Sequence, residues 1–114
     1  MATILALAAC GSATSLEGYT FYSRSSKKWV GLGPEGPAYG YWSFVFRESD
    51  FSWYHSDLGS GGSYFLPSEN QLRLSFESFF QPEPGEFVLE LNESQTEFVF
   101  EGTTYIREDV HEGD

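Results

Sequence analysis

A single cysteine, Cys10, leaves the 114-residue chain without the pair an internal disulfide requires, so its stability has to come from packing. Basic residues are also scarce: six Lys and Arg stand against seventeen Asp and Glu, for a net charge of −11. The imbalance is local. Residues 1–57 carry four basic and five acidic side chains, whereas residues 58–114 carry only Arg73 and Arg107 against twelve acids. A field of that sign opposes phosphate backbones, which excludes nucleic acid as an expected partner and leaves a basic protein or cations. No segment approaches the ~20 apolar residues of a membrane-spanning helix. No window of helical length shows a clean 3.6-residue period, and no solenoid-type repeat is present.

What the chain has in quantity is aromatic side chains, at 18% of residues. Each can bury ~150–250 Å², so a few of them dominate the core of one modest domain. The period is two. Trp42, Phe44 and Phe46 alternate with Ser43, Val45 and Arg47; Phe51 and Trp53 with Ser52 and Tyr54; Leu72, Leu74 and Phe76 with Arg73, Ser75 and Glu77. Phe87, Leu89 and Leu91, then Phe98 and Phe100, continue the pattern. Such alternation marks strands with one wet face. Turn residues divide them, and strands are expected near 18–23, 39–47, 51–56, 62–66, 71–77, 86–91, 96–100 and 103–107. Residues 24–38, rich in Gly and Pro, read as a long loop with at most a short strand at Trp29–Leu32, and Asp57–Gly62 reads as a glycine-rich loop. A short helical turn is conceivable at Ser78–Gln81. Regular short strands of this kind imply an all-β fold, a single antiparallel meander closing as a small barrel of about eight strands.

Few residues suggest chemistry. His55-Ser56-Asp57 sets three hydrolase residue types side by side, but alternation separates Ser56 from the other two, so polar residues entering a turn are the better reading. His55 and Asp57 offer only two metal ligands, and His111 stands in an acidic tail expected to be frayed. Gly59-Ser-Gly-Gly62 lacks the Lys-Ser/Thr of a phosphate loop. No catalytic residue, metal ligand or cofactor is therefore assigned. The inward-parity aromatics raise a different question. Trp42, Phe44, Trp53, Tyr64, Phe98 and Tyr105 either line a small apolar-ligand cavity or fill the interior, and their bulk favours filling. Glu101-Gly102 suits a two-residue hairpin turn. That register sets Phe100 opposite Thr103, Phe98 opposite Tyr105 and Thr96 opposite Arg107, which places Arg107 on the inner face near a barrel end.

Two resemblances add to this reading. Leu7-Ala8-Ala9-Cys10 resembles the bacterial lipobox, and the small polar run Gly11–Ser15 suits a tether. The series Phe44-Val-Phe46, Phe51-Ser-Trp53, Asp57, Gly62-Ser-Tyr64, Asn70-Gln-Leu72-Arg-Leu74, Gly85-Glu-Phe87 and Phe100-Glu-Gly-Thr-Thr-Tyr105-Ile-Arg107 resembles the small lipocalin-like (calycin-type) domains of bacterial lipoproteins. The usual Gly-x-Trp opening of related barrels is replaced here by Gly18-Tyr19-Thr20-Phe21. The resemblance implies a signal-peptide-like segment at 1–9, a tether at 10–17 behind lipid on Cys10, a barrel at 18–108 and an acidic tail at 109–114. It further implies that Arg107 closes one barrel end over an aromatic of the first strand, Tyr19 or Phe21. The expected protein is a non-enzymatic monomer held at the bacterial cell envelope, binding a small apolar ligand or a partner protein. The alternative is a solid-core interaction, inhibitor or scaffold protein without a pocket.

Overall fold

The structure is a computed structural model and describes residues 15–56, 58–77 and 85–113. Its strands are β1 (Thr20–Ser23), β2 (Lys28–Gly33), β3 (Gly36–Gly40), β4 (Ser43–Phe46), β5 (Asp50–His55), β6 (Leu58–Ser68), β7 (Gln71–Phe76), β8 (Gly85–Glu90), β9 (Glu97–Phe100) and β10 (Thr103–Arg107). Eight of them form one antiparallel sheet in the order β8-β7-β6-β5-β4-β1-β10-β9, nearly closed into a barrel. The first strand is the clasp: β1 pairs with β4 on one side and with β10 on the other.

The alternation read from the sequence becomes the inner and outer faces of this sheet. Phe44 and Phe46 are buried between half-exposed Ser43 and Val45, and Leu72, Leu74 and Phe76 between Gln71, Arg73 and Ser75. The Glu101-Gly102 turn has φ of 50° and 81°, the positive pair that a type I′ turn requires. It sets the register Thr103↔Phe100 and Tyr105↔Phe98, and the Arg107 N–H donates to the Thr96 carbonyl at 2.9 Å.

Three expectations are corrected. The presumed loop 24–38 is mostly a hairpin: β2 and β3 pair as a separate two-stranded sheet, and Tyr39–Gly40 belongs to it rather than to β4. The presumed glycine-rich loop 57–62 is largely strand, because β6 runs from Leu58 through Gly59, Gly61 and Gly62. Leu16, assigned to the tether, is only 1% exposed and joins the core. The proposed helical turn at 78–81, Cys10 and Asp57 lie outside the described residues.

Glycine in β6 has a packing reason. Gly62 pairs with Phe51 on one side and Phe76 on the other, and the two rings meet edge to face across it at 5.0 Å. A Cβ there would run into the Ser75 carbonyl of β7, so the close approach of the two backbones needs glycine.

Candidate functional site

The barrel interior is a continuous aromatic stack. Phe44, fully buried, contacts the rings of Phe46, Phe51, Trp53, Phe98, Phe100 and Tyr105 at 4.8–5.9 Å. Of the residues considered for a ligand cavity, Phe44, Trp53, Tyr64, Phe98 and Tyr105 are buried against one another and their neighbours, while Trp42 stands half-buried at a rim. The Trp53 indole N–H donates to the Tyr105 hydroxyl at 3.0 Å, which satisfies a polar group in a dry core. Burial pushes the Tyr105 phenol above its ordinary pKa, although the Trp53 bond acts in the other direction.

At one barrel end the Arg107 guanidinium lies 4.2 Å over the Tyr19 ring. It also forks onto Asp109, with Nε at 2.6 Å and Nη2 at 2.9 Å from the two carboxylate oxygens. The hydrogen bond to Asp109 raises the Arg107 pKa, and the same bond holds the Asp109 carboxyl below its ordinary value. A depressed carboxylate pKa stabilises the fold at neutral pH. That contribution is lost as the pH falls through the folded-state value. Stacking and ion pairing thus occur together at Arg107. Arg107→Lys keeps the charge and loses both the planar stack and the fork. It is expected to lower stability by more than the ~0.5 kcal/mol of an ordinary surface change, measured as a shift in urea midpoint. Nearby, the Tyr64 hydroxyl accepts from the Leu16 N–H at 3.1 Å and donates to the Arg47 carbonyl, pinning the start of the described chain to this end.

The opposite end is built around tryptophan. His55 stacks on Trp53 at 3.8 Å and meets Trp42 edge-on at 5.8 Å. The Trp42 indole donates to the Trp29 carbonyl at 2.8 Å, and Lys28 Nζ sits 4.8 Å over the Trp42 ring while donating to Thr103. These contacts root the β2–β3 hairpin on the barrel rim. This rooting was not legible beforehand, because Lys28 and Trp29 stand inside an apparent loop. The hairpin exposes Leu32 near its tip at 80% and Tyr39, opposite Trp29, at 62%.

His55 is packed between two indoles, and Ser56 sits in the turn with a φ of 53°, so the pair is arranged as core and turn residues. His111 does not fray. Its Nδ1 accepts from the Gly113 N–H at 2.9 Å, which leaves Nε2 to donate to the Ser23 carbonyl at 2.9 Å. Its ring meets Tyr41 edge-on at 5.1 Å. Among the described residues no three His, Cys, Asp or Glu side chains come together as a metal site.

Clefts among the described residues include three. One of about 750 Å³ runs over β5 and β6 beside Tyr54, Gly59 and Gly61. Another, of about 390 Å³, lies between β10 and the C-terminal segment, with Arg24, Ile106 and His111 on its walls. A third, of about 310 Å³, sits where β8 and β9 face each other, lined by Glu90, Leu91, Asn92, Glu97, Phe98 and Val99. Compared with protein-family models, with curated proteins and with solved structures, the chain has no match.

Proposed function

We propose that this chain is a non-enzymatic, lipocalin-like barrel, held at the bacterial cell envelope by lipid on Cys10, that works by contact with a partner protein. The observation that carries the partner reading is the filled interior. Phe44 is surrounded by six aromatic rings where a carrier barrel of this size would hold its ligand. Recognition is then a property of the outside, where the β2–β3 hairpin presents Leu32 and Tyr39 to solvent. Exposed apolar and aromatic side chains on a rooted arm suit a protein contact better than a solvated loop does. The charge of −11 favours a basic partner. The anchoring part of the reading rests on Leu7-Ala8-Ala9-Cys10 and the polar run behind it.

Native mass spectrometry of the protein from a bacterial host tests both parts. Lipid mass on Cys10 and no retained small molecule are expected, and Cys10→Ser should move the chain out of the membrane fraction. A soluble wild type with a free Cys10 thiol would overturn the anchoring. An apolar molecule that leaves only on unfolding would overturn the partner reading.

A further inference from the structure

The barrel is closed by side chains rather than by backbone at one place. β8 and β9 are the two ends of the sheet order, and among the described residues no ladder joins them. The seam is zipped at its turn end, where the Asn92 N–H donates to the Glu97 carbonyl at 3.1 Å. Beneath it, Phe87 and Phe100 meet edge to face at 5.1 Å.

Ladder alternation identifies which backbone groups are left. The Leu91 N–H donates to Asn70, so Leu91, Leu89 and Phe87 bond toward β7, and Glu86, Val88 and Glu90 turn their N–H and C=O groups toward the seam. On the other bank the Arg107 N–H bonds to Thr96, so Thr96, Phe98 and Phe100 bond toward β10, and Val99 faces the seam beside Glu97, whose own N–H and C=O are already taken by Asn92. A free edge of this kind is a template for an added strand.

The side chains along the banks select what can add. Val88 and Val99 are exposed at 51% and 52%, and each is flanked by carboxylates: Glu86 and Glu90 on β8, Glu97 and Glu101 around β9. Two of these acids have a cation nearby, Arg73 at 4.0 Å from Glu86 and Arg24 at 3.4 Å from Glu97. A second copy of this chain would set Glu against Glu, which opposes self-pairing. A strand with cations beside Glu86 and Glu90 and an apolar side chain beside Val88 meets the opposite condition. Those three positions share the outer face, so the matching pattern is cation-x-apolar-x-cation, with small residues at x, above the Phe87 and Phe100 rings.

We infer that the β8–β9 seam receives an extended basic segment of a partner protein, which adds as a strand to the free edge of β8. This rests on the partner-binding reading above and adds to the β2–β3 hairpin a second contact surface on the barrel itself. The probe is a capped Lys-Ala-Val-Ala-Lys peptide, titrated into the ¹⁵N-labelled full chain. Amide shifts are expected at Val88, Glu90 and Val99, with slowed hydrogen exchange at Val88, and binding should weaken as salt is raised. Glu90→Lys should weaken binding at least tenfold, whereas Glu48→Lys, in the distant β4–β5 turn, should leave it unchanged. Val88→Pro removes an N–H that faces the seam and not β7, so the barrel should keep its circular dichroism and lose the peptide. Equal binding of Glu-Ala-Val-Ala-Glu, shifts confined to the β2–β3 hairpin, no shifts at all, or full binding by Glu90→Lys would overturn the inference. None of these outcomes bears on whether the interior holds a small ligand, which the native mass measurement decides separately.

Discussion

Gly62→Ala is expected to cost more than about 4 kcal/mol, the range reached only by a core or backbone clash, and to leave most of the chain unfolded at 37 °C. A Cβ placed on Gly62 would lie 1.8 Å from the Ser75 carbonyl oxygen and 2.8 Å from its carbon. Both are backbone atoms of the paired strand β7, so no rotamer change relieves the overlap. The β6–β7 ladder would have to part, and it ties β7 and β8 to the rest of the sheet. The separation would also pull apart Phe51 and Phe76, which meet across the glycine. Gly59→Ala is the matched control. Its Cβ would meet only the Tyr54 ring at 3.4 Å, a side chain that can move, and a cost within about 1 kcal/mol is expected. Urea unfolding followed by tryptophan fluorescence measures both. Equal midpoints for the two variants would mean that β6 does not follow the path described.

Phe44→Ala is expected to cost on the order of 5 kcal/mol, the upper end for loss of a buried phenylalanine. Phe44 touches six rings from β4, β5, β9 and β10, so its removal opens a cavity at the centre of the stack. Ring pairs contribute about 0.5–1.5 kcal/mol each beyond area burial, and several are lost together. Neighbouring rings are held by their own partners, so collapse into the void is restricted. Phe98→Ala should follow at about 3–5 kcal/mol. Val88→Ala, on the outer face, should stay within about 0.5 kcal/mol. Similar costs for Phe98 and Val88 would show that both faces of the sheet are covered.

The sheet was legible where a strand has one wet face. Phe44/Phe46, Leu72/Leu74 and Phe98/Phe100 were all correctly placed inward, because period two and burial are the same fact there. The β9–β10 register was legible because Glu101-Gly102 supports one tight turn chemistry. Glycine and proline misled elsewhere. Gly31, Gly33, Pro34, Gly36 and Pro37 suggested a loop, yet a two-stranded hairpin has outer edges on which Pro37, opposite Leu32, need not donate to a ladder. Gly59, Gly61 and Gly62 suggested mobility, whereas two of the three make close backbone approaches that only the fold reveals. Leu16 was lost because its neighbours are small and polar, and one buried leucine leaves no period. The Arg107–Tyr19 contact was inferred from a turn register and a family resemblance. Its second partner, Asp109, two residues along, falls in the stretch assigned to the acidic tail, where nothing in the sequence sets it apart from its neighbours.

The place of β1 between β4 and β10 has a consequence in time. The strand nearest the start of the chain completes its pairing only with the strand nearest the end, Phe21 against Arg107. Contacts between such distant parts of a chain form slowly, and while the chain is being made this one has to wait until β10 emerges. Closure at β1 therefore comes late, although β1 can pair with β4, and β4 to β8 with one another, before it does.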